Sequence, residues 1–315
     1  MQVRRQFLLA LAASPFLWLP TTPALAGAPL TIFLPYPKGA FDAIIHSLEE
    51  PLSRHLGRDV LIEHVPGDGG WEAIERLRSG DPDSTILADA ELTLALKQKV
   101  GGRGFEIDQL RPVAKLTDGI SVALIATAGA SHGTWPELAK AMSERPLTLA
   151  ATGPHSAFGV AEALLVTVLG SGFTEVREPG PQAIFDAVSG GKAELGLITT
   201  NLIQSFNAAA TGAKVAPIVT FGAKRSPQHP DTPTLAELSG NDKYDFTFAL
   251  GFYGNKAMSP DVAERIYQAL NAAQADPAIV EAPVHANFPL NVHDATVLQE
   301  SFERDLRLLR RLGLQ

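Results

Sequence analysis

Short β-type runs alternate with helical patterns along most of the chain, and this alternation is the tightest constraint on its fold. Leu30–Leu34 reads as a strand and 41–56 as a helix, with Phe41, Ile44, Ile45, Leu48, Leu52 and Leu56 on one stripe and Glu49, Glu50 and Arg54 facing water. Strands at 60–62 and 85–88 flank a helix at 72–78, and Ile120–Thr127 is a longer β run. Thr134-Trp135-Pro136-Glu137 has the form of a capping box opening a helix, and 147–151 returns as a strand. Helical patterns at Ala157–Leu169 and 182–188, the second ended by Gly190-Gly191, lead to strands at Leu195–Thr199, 215–221 and 248–253. Ser259-Pro260 opens a helix over 261–273, and a charged amphipathic helix, 296–312, closes the chain. Alternation of this kind implies α/β architecture with mainly parallel sheets flanked by helices. Two sheets fit domain sizes better than one large one, with 27–118 and 222–315 forming domain I and 119–221 domain II. The chain is expected to cross between them near Gly119 and Gly222.

The first 26 residues read as an export signal. Arg4 and Arg5 give a basic start, 7–19 is an apolar run broken by Ser14 and Pro15, and Ala24-Leu25-Ala26 places small residues at a cleavage site. The run falls short of the ~20 residues needed to span a bilayer. The mature chain is therefore expected to begin near Gly27 in the periplasm. The Arg4-Arg5 pair fits both a twin-arginine signal and an ordinary basic start.

Composition removes several function classes. There is no cysteine, which excludes thiol catalysis, thiolate metal sites and disulfides. The formal charge of −8 becomes about −10 without Arg4 and Arg5, which argues against nucleic acid and anionic membranes as partners. An anionic ligand must then be held by a local positive site. The eight histidines are scattered along the chain, so neither a metal nor another cofactor is expected. Neither a Gly-x-Ser-x-Gly elbow nor a Walker loop occurs, and no catalytic residue is assigned.

In open α/β sheets, ligands sit beyond the carboxyl ends of strands, where helix N-termini offer free N–H groups. Four segments occupy such positions: Pro35-Tyr36-Pro37-Lys38-Gly39-Ala40-Phe41-Asp42, Asp89-Ala90, Thr152-Gly153-Pro154-His155-Ser156, and Glu178-Pro179-Gly180-Pro181. Lys38 adds a whole positive charge to the first and also suits a solvated loop. Asp42 fits either a ligand contact or a helix-dipole partner. Asp89, if it lines a cleft, favours a ligand carrying an amino group. Thr152 and Ser156 suit both anion binding and helix capping. Trp71 and Phe158 read as core, and His155 as a loop residue.

The Pro-aromatic-Pro-x-Gly segment with Asp42, then Glu50-Pro51-Leu52-Ser53, Leu56-Gly57 and 63–70, resembles the substrate-binding proteins of tripartite tricarboxylate transporters, the TctC-like or Bug family. Ala223-Lys224-Arg225-Ser226-Pro227, followed by 230–237, is the most diagnostic match, and Ser189-Gly190-Gly191-Lys192-Ala193-Glu194 fits the same family. The resemblance covers essentially the whole mature chain. It implies a two-lobed periplasmic binding fold, type II-like, that closes on a small carboxylate or acidic amino acid and delivers it to membrane permease subunits. A monomer is expected. By position, the implied ligand loops are 36–42, 152–156 and Gly180 with Pro181. The chain departs from the family at Lys38, Gly39, Ala40 and Phe41, where glycines are usual and the loop is one residue shorter. It departs again at Glu178-Pro179-Gly180 and at Gly159-Val160. A periplasmic sensor subunit and an enzyme built on this scaffold are the alternatives to a transport receptor.

Overall fold

The computed structural model describes residues 28–313 apart from positions 37, 101, 155 and 171. The expected export signal with Arg4 and Arg5 and its expected cleavage site at Ala26 lie outside the described residues, as do Pro37 and His155. The strands are β1 (Leu30–Leu34), β2 (Val60–His64), β3 (Thr85–Ala90) and β4 (Leu110–Thr117). They continue with β5 (Ile120–Thr127), β6 (Thr148–Ala151), β7 (Thr174–Arg177), β8 (Leu195–Thr199) and β9 (Val215–Thr220). The last are β10 (Thr247–Phe248), β11 (Leu250–Asn255) and β12 (Leu290–Asp294).

They form two sheets with flanking helices, one per lobe, ordered β12-β4-β11-β3-β1-β2 and β10-β5-β8-β6-β7, with β9 also paired to β5. Neither sheet is purely parallel. β1, β2 and β3 pair in parallel, whereas β11 and β12 run against their neighbours. In the second sheet β6, β7 and β8 are parallel, and β5 is antiparallel to β8, β9 and β10. A parallel pair needs a crossover helix, which the sequence alternation supplies, yet the same reading also finds the antiparallel β5, β9 and β11 and misses β4, β12 and the parallel β7.

The chain leaves the first sheet after Thr117 and enters the second at Ile120. It returns later than the expected point at Gly222: β10 still pairs β5 at Thr247 and Phe248, and β11 begins at Leu250. The intervening segment stays with the second lobe, where Phe246 N–H donates to Phe221 O at 2.6 Å and His229 Nε2 lies 3.1 Å from Thr200 O.

Packing follows the apolar stripes. Helix Ala40–Leu56 buries Ile44, Ile45, Leu48 and Leu52, and stops at Gly57, whose φ of 65° is the left-handed conformation that favours glycine. Helix Trp135–Glu144 opens with the capping box of Thr134 and Glu137. Helix Pro181–Ser189 lies so close to β8 that a Cβ on Gly196 would come within 2.8 Å of Ile184 and Val188 methyl carbons. Only glycine permits that approach.

The parallel register sets Leu30 beside Val60 and Leu34 beside His64. The carboxyl end of β2 thereby lies next to the loop that follows β1, and this places two of the side chains below.

Candidate functional site

The loop after β1 is organised by a buried network rather than left open. The Tyr36 hydroxyl donates to Asp89 Oδ1, and the backbone N–H of Ala90 donates to the same oxygen at 2.8 Å. Asp89 has no exposed surface, and Lys97 Nζ lies 3.7 Å from its Oδ2. Burial pushes the Asp89 carboxyl up, opposed by the Lys97 charge, and burial with the nearby Asp89 charge holds the Tyr36 phenol well above its ordinary range. The phenol therefore stays protonated and remains the donor.

Asp89 does not occupy a loop. β3 runs through Ala90, and the next helix starts at Glu91 without a gap. The contact with a ligand amino group considered for Asp89 is not offered by this arrangement, because the carboxylate faces Tyr36 and Lys97 in the interior. Lys97, two helical turns on, gave no sign of this role in the sequence.

Phe41 turns inward. Its ring meets Tyr36 edge-on at 5.1 Å and both Phe248 and Phe288 at 6.2 Å, so it packs the first lobe's loop against the chain at the crossing. Lys38 and Gly39 are exposed, Ala40 is half-buried, and no ion pair of Lys38 occurs among the described residues. Helix Ala40–Leu56 has no side-chain cap at Gly39, so its first N–H groups remain available to an anion.

Asp42 sits in the first turn of that helix. Its Oδ1 is 2.8 Å from His46 Nδ1 and 2.9 Å from His64 Nε2. The scattered histidines of the sequence are thus joined here by the helical i, i+4 spacing and by the β1–β2 register. The three ligand atoms lie within 4.8 Å of one another, which makes this a geometric candidate for a metal ion.

In the second lobe, Thr152 Oγ1 donates to Ser156 Oγ at 2.8 Å, and Ser156 Oγ donates to Gly153 O at 2.7 Å. Ser156 also accepts from Gly159 N–H at 3.2 Å, so it caps helix Ala157–Leu169. Gly153 has a φ of 102°, a strained conformation for any other residue. Gly180 and Pro181 open helix Pro181–Ser189, again without a side-chain cap, and Glu178 pairs with Lys192 at 2.5 Å. No hydrogen bond or ion pair among the described residues joins the 36–42 loop to the 152–156 loop.

The strand at Leu195–Thr199 is where the sequence places it, but the polar corner at its end escaped the sequence reading. β8 ends at Thr199 and runs straight into a 3-10 turn that begins with Thr200 and Asn201; all three residues are buried, and Thr199 Oγ1 and Asn201 Oδ1 lack hydrogen-bond partners. Asn201 Nδ2 reaches Asn287 O at 2.6 Å, which ties this corner to a helix of the first lobe. Buried polar atoms left unpaired ask for an explanation, and a bound solute is one. A cavity of about 540 Å³ lined by Ala28, His55, Arg58, Asp81 and Arg265 lies instead at the amino ends of the first sheet's strands, the wrong end for an α/β ligand site.

The fold is similar to a structure described as periplasmic binding protein BugD, at 21% identity and a TM-score of 0.74, covering 91% of this chain and 98% of that one. It is similar to MatC from Rhodopseudomonas palustris with bound malate, at 20% identity and a TM-score of 0.73, covering 89% and 98%. R. palustris Rpa4515 with adipate gives 17% identity and a TM-score of 0.76, covering 90% and 97%. At these identities the likeness is one of fold. Among the described residues, no helix is long and apolar enough to cross a membrane. Residues 44–314 match the family described as tripartite tricarboxylate transporter family receptor, a family of binding proteins rather than enzymes, and the chain belongs to it.

Proposed function

We propose that the chain is a periplasmic receptor for a small dicarboxylate, which it captures between its lobes and hands to the permease subunits of a tripartite tricarboxylate-type transporter. The observation that carries this reading is the uncapped amino end of helix Ala40–Leu56 at the carboxyl end of β1. Free N–H groups and the helix dipole there hold a carboxylate without a full positive charge. The 152–156 loop, Gly180 with Pro181, and the unpartnered Thr199 hydroxyl supply the second lobe's side. MatC with malate and Rpa4515 with adipate hold dicarboxylates on the same fold, which supports the class. An acidic amino acid fits less well, because Asp89, the acceptor considered for an amino group, is enclosed with Tyr36 and Lys97.

The lobes in this reading are those of the two sheets, they close as rigid bodies, and the receptor acts as a monomer. The first 26 residues direct export and are removed. Closure requires contacts that the open form lacks. A thermal-shift screen of dicarboxylates of four to six carbons tests the class. A ligand at a hundred times its Kd adds ~2.7 kcal/mol of stability. X-ray scattering with the best ligand is expected to show compaction. If no dicarboxylate shifts the melt, or saturation leaves the radius of gyration unchanged, the proposal fails.

A further inference from the structure

The cluster of Asp42, His46 and His64 stands at the outer edge of the first sheet. His64 ends β2, the edge strand, and Asp42 and His46 lie one turn apart on helix Ala40–Leu56. The two imidazole rings stack with centroids 5.6 Å apart and planes 23° apart. Both present a nitrogen to the same carboxylate oxygen.

Hydrogen bonding by neutral imidazoles does not account for this arrangement. Asp42 Oδ1 is buried and has no partner with acceptable hydrogen-bond angles, although two nitrogens lie within 2.9 Å of it. His64 is more constrained still. Its Nδ1 is 3.1 Å from the Tyr36 carbonyl oxygen while its Nε2 faces Asp42, so acceptors stand on both sides of the ring. A neutral imidazole has one N–H and satisfies one of them. A second proton on the ring would satisfy both, and a bound metal cation resolves the conflict without it: Nδ1–H donates to Tyr36 O, which fixes the tautomer, and Nε2 turns its lone pair to the ion. That outer hydrogen bond to a backbone carbonyl is the usual accompaniment of a metal-bound histidine.

From this geometry we infer that Asp42, His46 and His64 form a binding site for a borderline divalent ion of the zinc type, with water completing its coordination. Two imidazoles and one carboxylate are the donor set such ions accept, and three protein ligands leave an open position. Tetrahedral zinc with bonds of about 2.0–2.1 Å spaces its ligand atoms about 3.3 Å apart. The observed 2.8 and 2.9 Å separations need to open by only about half an ångström. His46 is the most exposed of the three, at 45% of its side chain, and gives the ion a path from solvent. Its Nδ1 also lies 3.1 Å from Asp42 O, a contact it gives up with its proton when the ion enters. A helix amino end disfavours a cation by roughly half a charge, and the full charge of Asp42 outweighs that. The ion would pin the start of this helix to the edge strand, beside the loop proposed above for the solute.

The test uses zinc alone, with no dicarboxylate present, so its result is independent of the solute proposal. The chain without an affinity tag is titrated with Zn²⁺ by calorimetry in a weakly coordinating buffer near pH 7.5. Co²⁺ is substituted to read coordination by visible absorption. One ion per chain with a Kd tighter than about 10 µM is expected, together with a four-coordinate cobalt spectrum. His64→Ala and His46→Ala should each weaken binding roughly tenfold or more, since even outer partners of a metal site cost that much. His293→Ala, at the separate pair with Asp118, should leave binding unchanged. If His64→Ala does not fold, the exposed His46 decides. Absence of binding below about 100 µM, or wild-type affinity in His46→Ala, overturns the inference.

Discussion

Both carboxylate oxygens of Glu91 lie 2.8 Å from the backbone N–H of Ala249, the residue between β10 and β11 where the chain returns from one sheet to the other. Glu91 is fully buried. Asp305, 1% exposed, adds a second carboxyl to the same pocket, and Arg304 approaches Glu91 at 3.6 Å and Asp305 at 3.1 Å. The Tyr253 hydroxyl is buried without a partner, and Lys115 binds Ser301 at 3.0 Å. Burial, reinforced by the Asp305 charge, pushes the Glu91 carboxyl up to about 8. Burial pushes Asp305 up to about 7 against the pull of Arg304.

The pH dependence follows from these directions. Both groups hold their protons more tightly in the folded chain than in the unfolded one, whose ordinary values are 4.5 and 3.8. Their contribution to stability is complete below about pH 4 and is lost as pH rises through 7 to 8. Thermal melts between pH 5.5 and 8.5 should show the midpoint falling toward alkaline pH, and Glu91→Gln should flatten the slope. Parallel profiles for the two proteins would contradict this.

The buried phenol–carboxylate pair predicts a stability loss without a charge change. Tyr36→Phe removes the hydroxyl that donates to Asp89 and leaves that oxygen with the Ala90 N–H alone. A hydrogen bond to a charged group is worth about 1.5–3 kcal/mol. Urea unfolding should register a loss of that order, and a change below about 0.5 kcal/mol would show the bond to be dispensable.

Asn201 joins the lobes through its bond to Asn287 O. Where the solute-bound form keeps this contact and the open form gives it up, Asn201→Ala costs the bound form ~1 kcal/mol and the affinity for the solute should fall about fivefold. The melting temperature without ligand should move little by comparison. Calorimetry on the variant checks the split, and an unchanged affinity would place this contact outside the closing motion.

Lys38 is exposed and makes no ion pair among the described residues. Lys38→Ala should change dicarboxylate affinity by no more than about twofold, ~0.4 kcal/mol, at physiological salt. A tenfold loss would mean that closure brings the ammonium onto the ligand.

Asp89 and the two histidines show how far a linear reading reaches into the site. The 36–42 and 152–156 loops were legible because glycine and proline after an apolar run mark a strand end, and strand ends are where α/β sheets bind ligands. Burial was not legible. Asp89 reads as a loop acid until β3 extends through Ala90 and sets it against Tyr36 and Lys97. His46 and His64 read as isolated until the β1–β2 register brings the end of β2 beside Tyr36.

By itself the sequence determined the local structure and the family. The stripe from Ile44 to Leu52, the stop at Gly57 and the capping box at Thr134 and Glu137 are set by side chains within a few residues of one another. Tertiary structure alone decided β4, whose Arg111, Pro112 and Lys115 hide a buried strand. Pro112 is accommodated opposite a register shift at Phe252 and Tyr253, and the Lys115 ammonium is buried against Ser301. It also decided where the chain re-crosses, because β10 and β11 form one apolar run divided only by their partners, β5 and β4. Pairing between strands far apart in sequence leaves no periodic trace in either strand, so only the folded chain assigns it.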